Sequence, residues 1–180
     1  MAKTDRIDAT NRAQIAVNPV IKRQLRARLQ QIGTQLKEID AVIATLVASD
    51  PELSRRRDIL ASIPGVGPIT AISILTEMPE IGTLGNKQAA SLAGLAPMTR
   101  QSGSWSGRAR IRGGRRGLRN AFYMPALVAL RFNPDLKQRY KMMKSAGKPS
   151  KVAITAVMRK LLVLANTLIR DDRKWTAKHA

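Results

Sequence analysis

SIPGVGPITAISIL, residues 62–75, is the stretch whose reading decides the fold. One helix closes, Pro64-Gly65-Val66-Gly67 makes a tight turn, and Pro68 opens a second helix. Proline suits a first helical position because its φ is already helical and its missing N–H has no partner to lose there. Ile69, Ile72 and Leu75 are expected to form the buried stripe of the second helix, with Val66 plugging the turn into the core. The pattern reads as a helix-hairpin-helix. Gly65 and Gly67 would let the backbone approach a phosphate, and the helix N-terminus behind them offers free N–H groups and the positive end of its dipole. A plain turn between two helices would need the glycines for their dihedrals alone, so the charge of the chain decides between the two readings.

That charge is large. Lys plus Arg number 32 against 12 Asp plus Glu, a net +20 in 180 residues. Such an excess repels itself in a folded domain and points to a polyanionic partner, which favours the DNA-backbone reading. A membrane surface is not expected: no long basic amphipathic helix has an aromatic face, and no unbroken apolar run is longer than 161–165, which is far too short to span a bilayer. The first residues, MAKTDRIDAT, hold no apolar signal region, and the chain has no cysteine. A soluble intracellular protein is expected.

Outward from the turn, the chain reads as all-α. Upstream, Leu25, Leu29, Ile32, Leu36, Ile39, Ile43 and Leu46 are spaced 4, 3, 4, 3, 4, 3, a heptad seam over residues 20–48. The seam fits a coiled coil, within one chain or between two, or an amphipathic helix packed on its own domain. Residues 1–19 place no stable element and are expected to be poorly ordered. Asp50-Pro51 reads as cap and first residue of the next helix, opening a domain over 50–175. Downstream, Asn86 caps a small-residue helix stopped by Gly94. A helix over 114–132 carries Leu118, Phe122, Met124 and Leu127, with Pro125 expected to kink or break it. Asn133-Pro134 opens another helix, with Leu136, Tyr140 and Met143 inward, ended by Gly147. The last helix, 149–170, is apolar on most faces and should be the central core helix. A short extended piece fits only around 99–111.

Residues 100–119, RQSGSWSGRARIRGGRRGLR, hold seven arginines and no acid. Arg100, Arg108, Arg110, Arg112, Arg115, Arg116 and Arg119 are candidate DNA- or RNA-phosphate ligands. Trp105 either stacks on an unpaired base or pins the loop to the domain. Ser102, beside Gly103, is the one candidate nucleophile. A lone serine needs a base or a metal, and on composition it would be read as a solvated loop residue. The sole histidine, His179, lies at the end of the chain, so a Ser-His-Asp triad is discounted.

Four stretches, 62–75, AASLAGLAPMTRQSGS, RGGRRGLRNAFYMPALVALRFNP and GKPSKVAITAVMRKLLVLANTLIRD, occur in order over about residues 50–171. Together they resemble the C-terminal domain of the IS-one-ten family of bacterial insertion-sequence transposases, whose members are guided by a bridge RNA. The resemblance implies that the serine after Gly94-Leu95-Ala96-Pro97, Ser102, attacks DNA to form a phosphoserine link. It also implies DNA and guide-RNA partners, DNA transposition and recombination as the activity, a cytoplasmic, nucleoid-associated protein, a coiled-coil connector that makes a homo-oligomer, and an N-terminal RNase-H-like domain with four Mg²⁺-binding acids. AKTDRIDA resembles the motif with the last two of those acids, placing them at Asp5 and Asp8; taken alone, two acids near a helix N-terminus would be read as dipole partners. The strands carrying the other two acids are absent, so an N-terminally truncated copy is expected, with Mg²⁺ not held by this chain alone. Strand cleavage and joining through Ser102 and a catalytically inactive DNA- or RNA-binding fragment are the two functions this leaves.

Overall fold

One aliphatic core gathers helices from α3 (Pro51–Ala61) to α8 (Ser150–Arg170). The computed structural model describes residues 2–102 and 105–177. Among them the chain forms eight helices and one two-stranded ribbon, and divides into two units, Met1–Ser54 and Arg55–Ala180.

The first unit holds α1 (Ala2–Ile15) packed on α2 (Pro19–Ser49). The structure corrects the expectation that residues 1–19 place no element. α1 was hidden because it has almost no apolar stripe: among its described side chains only Ala9 is buried. α2 starts as a sequence reader would hope, with the Asn18 side chain accepting the Val20 N–H at 2.8 Å and Pro19 in the first turn. At ~1.5 Å per residue α2 is about 46 Å long. Its heptad seam is unevenly covered: Ile32 is buried, while Ile39 and Leu46 are 51% and 62% exposed, with Val42 exposed beside them. The Asp50 side chain accepts from the N–H groups of Glu52 and Leu53 and caps α3 as the sequence requires.

In the second unit α4 (Pro68–Glu77), α5 (Asn86–Leu92), α6 (Arg116–Phe132), α7 (Pro134–Ser145) and α8 surround the core. α8 packs against α5, α6 and α7, and α6 also packs against α4 and α7. Val157, Leu161, Leu162, Ala165 and Leu168 of α8 are fully buried, each large one contributing ~1.5–3 kcal/mol relative to exposure. α8 is long and apolar enough to cross a membrane by length and composition, but this buried face is spent on the domain's own core.

Two expectations for apolar faces are corrected. The buried face of α4 runs Ala71, Ile74, Leu75 and, just past its end, Met78, at i, i+3, i+4 and i+7; Ile69 lies off it and is 65% exposed. α6 continues through Pro125, which is buried with Leu118, Phe122, Ala126 and Ala129, whereas Met124 is exposed. Small residues on this face let the turn after α3 sit directly on it. A Cβ added to Gly65, whose φ is +96°, would come within 2.7 Å of the Pro125 carbonyl oxygen and 3.3 Å of the Ala129 nitrogen. The close approach that Gly65 allows in this fold is to α6.

Asn166 is fully buried on α8 and completely satisfied. Its Oδ1 accepts the Gly82 N–H and its Nδ2 donates to the Leu84 carbonyl, both at 2.8 Å, so one side chain ties the loop before α5 to the core helix.

Candidate nucleic-acid interface

The arginine-rich stretch is a ribbon. β1 (Pro97–Ser102) and β2 (Trp105–Ile111) pair antiparallel, with Pro97 opposite Ile111, Met98 opposite Arg110, Arg100 opposite Gly107 and Ser102 opposite Trp105. Between the Met98 and Arg100 pairs β2 carries one more residue than β1, a bulge that increases local twist. The short extended piece expected around 99–111 is this ribbon. The alternation that signals a strand is diluted here by Gly and Ser, and a two-stranded ribbon needs support from the rest of the domain to stay formed. The register puts Ser102 at the last residue of β1, opposite Trp105. Gly103 lies outside the described residues.

The base of the ribbon supplies that support. Gly94 and Gly114 meet backbone to backbone with φ of +63° and +66°, and a Cβ on Gly114 would run into the Gly94 nitrogen. The Arg115 N–H donates to the Leu92 carbonyl at 2.7 Å, and the Arg119 guanidinium donates to the Gly113 carbonyl at 2.9 Å. Arg115 grips the other side: its guanidinium donates to both carboxylate oxygens of Glu80, at 2.6 and 2.9 Å, and to the Glu77 carbonyl at 2.7 Å. Arg115 thus has an anchoring role that its sequence context does not reveal. Arg110, Arg112 and Arg116 are exposed, and Arg119 is half-buried.

Hydrogen bonding from Arg115, then from Glu80's own backbone, holds the Glu80 carboxyl down at about 2 from an ordinary 4.5. A carboxyl depressed on folding stabilises above its unfolded value and loses that contribution as pH falls through the folded one. The difference in unfolding midpoint between the wild type and Glu80→Gln is expected to be constant above about pH 5 and to vanish towards about pH 2. Both side chains are over a third exposed, so solvent keeps the effect small; a difference unchanged down to about pH 2 would remove the ion pair from the anchor.

At the turn after α3, Val66 is buried as expected, and Gly67 caps α4 with open space around it and no side-chain cap. Asp5 and Asp8 lie three residues apart on α1, but no group of three His, Cys, Asp or Glu capable of holding a metal occurs among the described residues. These two carboxylates do not by themselves fit a Mg²⁺ centre, which needs ligands converging from several elements.

Sequence reasoning missed four cations on the helices behind the ribbon: Arg139 on α7 and Lys151, Arg159 and Lys160 on α8. The signal was there as a 4-residue spacing of polar positions, Lys151, Thr155 and Arg159, along a helix read as apolar on most faces.

Residues 57–141 match the model of the Transposase IS116/IS110/IS902 family. The chain is 33% identical over 164 residues to the pilin gene-inverting protein of Moraxella bovis, a match covering 89% of this chain and 51% of that protein. It is 31% identical over 159 residues to the uncharacterized 43.6 kDa protein of insertion element IS110 from Streptomyces coelicolor, covering 84% of this chain and 37% of that protein. A similar match, 30% identical, reaches the uncharacterized 42 kDa protein of insertion element IS900 from Mycobacterium paratuberculosis. The chain spans about half the length of the first of these relatives and less of the other two.

Proposed function

With residues 57–141 belonging to the Transposase IS116/IS110/IS902 family, we propose that the chain binds DNA and provides the strand-cleaving and strand-joining serine of a transposase or DNA-inverting recombinase. Ser102 is the nucleophile. Its hydroxyl oxygen forms a bond to a phosphodiester phosphorus, the P–O bond to one strand end breaks, and that end leaves as a free hydroxyl. Joining is the reverse, with a strand-end hydroxyl displacing the serine. Arg100, Arg108, Arg110 and Arg112 hold the phosphate and stabilise its developing charge. Arginine cannot accept the serine proton, so a base other than the ribbon's arginines takes it. The observation that supports this reading most is the position of Ser102, at the end of a basic ribbon whose base is locked by Gly94, Gly114 and Arg115.

The helix N-terminus at Gly67 is a second contact for the DNA backbone. A guide RNA would meet the same basic surface, and work on DNA places the chain in the cytoplasm with the nucleoid. A second reading is a binding fragment without catalysis. The two readings separate on labelled element-junction DNA in Mg²⁺, with and without a full-length relative. Strand cleavage lost in Ser102→Ala supports the enzyme. DNA retention on a gel without cleavage in either mixture supports the binding fragment.

Oligomerisation belongs to the same proposal. Ile39, Val42 and Leu46 leave an apolar stripe open on α2, and a second copy pairing there would cover it. Ile39→Asp with Leu46→Asp is expected to shift the chain to a smaller species by light scattering, without loss of helix content. An unchanged mass would rule out pairing through this seam.

A further inference from the structure

A groove of about 910 Å³ opens beside the base of the ribbon, between α6, α7 and α8. Its lining includes Arg110, Arg119, Arg139, Lys151, Arg159 and Lys160, and no Asp or Glu. Between these cations the wall is apolar, with Tyr123, Met143 and Val152; Tyr123 is 47% exposed and Val152 is 48% exposed. A cationic rim over an apolar floor fits a ligand that is both polyanionic and flat-faced.

We infer that this groove seats an unpaired nucleic-acid strand, its phosphates on the cationic rim and a base against Tyr123. The inference rests on the nucleic-acid reading above and adds a place and a strand state to it. A duplex presents phosphates and groove edges, but its bases are stacked inside and cannot reach an apolar floor. An unpaired strand offers phosphates and π-faces together, the combination that single-strand binders use. Arg110 belongs both to the groove and to β2, so a strand leaving the groove passes directly onto the ribbon that ends at Ser102. An acidic protein segment would satisfy the rim as well, but it would have no such continuity with the arginine ribbon.

The test is fluorescence anisotropy on the whole chain, using a ~12-nucleotide oligo-dT, an oligo-rU of the same length and a duplex of the same length. Tyr123→Ala is expected to weaken the single strands ~10-fold and to leave the duplex within ~2-fold, with Tyr123→Phe retaining affinity because the ring remains. Arg139→Gln with Arg159→Gln is expected to act in the same direction. Whichever of the two oligonucleotides binds more tightly identifies the strand as DNA or RNA. Ultraviolet crosslinking of 5-iodouracil oligonucleotides is expected to label Tyr123. Single-strand affinity unchanged by Tyr123→Ala or by Arg139→Gln with Arg159→Gln would overturn the groove assignment, as would displacement by poly-glutamate as efficient as by oligo-dT. A wild type that binds duplex but not single strands overturns the groove alone; one that binds neither overturns the DNA-binding reading with it.

Discussion

DNA affinity is expected to fall ~10³–10⁵-fold between about 50 and about 200 mM salt, the response of a protein that neutralises roughly 6–10 phosphates. The physical cause is release of counterions condensed on the DNA, so the slope counts phosphate contacts. The net charge of +20 and the seven arginines of 100–119 provide more than enough cations. The structure then divides those arginines. Arg112 is exposed just past β2, so Arg112→Gln should lower the slope of log affinity against log salt by about 1. Arg115 is turned inward to Glu80 and the Glu77 carbonyl, so Arg115→Gln should leave the slope unchanged while loosening the ribbon. Filter binding across a salt series measures both. A flat salt response in the wild type would remove the arginine clamp, and equal slope changes in the two variants would remove the distinction between them.

Gly114→Ala is expected to destabilise the second unit by ~3–5 kcal/mol, a large share of a total stability of ~5–15 kcal/mol. A left-handed backbone costs an L-residue ~1–2 kcal/mol. The new methyl would also meet the Gly94 backbone, which cannot swing aside as a side chain would. The ribbon base must shift, and the hydrogen bond from the Arg115 N–H to the Leu92 carbonyl shifts with it. Gly113 is the internal control. It has nearly the same φ, +71°, but a Cβ there meets nothing within 4 Å. Gly113→Ala should therefore cost only ~1–2 kcal/mol. Urea unfolding of the two variants isolates the packing contribution; equal losses would mean that Gly94 and Gly114 are not a lock.

Much of this architecture is legible in residue order. Asn18, Asp50 and Asn133 are capping residues followed by proline, and each side chain accepts a backbone N–H at the start of its helix. Val66 plugs the turn as its position suggests. Local signals of this kind carry a boundary within a few residues. What depends on distant partners is not legible. Nothing near Gly65 in sequence signals that α6 packs against it. Asn86 looks like a cap, but Gly85 holds that place, with the Gln88 side chain accepting its N–H. Pro125 breaks a helix in isolation, yet here the helix continues and the ring is buried. The Arg115–Glu80 pair spans 35 residues, and Arg115 cannot be told from its neighbours by sequence. α1 lacks an apolar stripe and so gave no periodic signal at all.

The measurement closest to the central claim is mass spectrometry of the chain after incubation with element-junction DNA, Mg²⁺ and a full-length relative. A nucleotide-phosphate adduct is expected on the peptide that contains Ser102, and none in Ser102→Ala. DNA cleaved with no adduct on that peptide, or an adduct that survives Ser102→Ala, would contradict it.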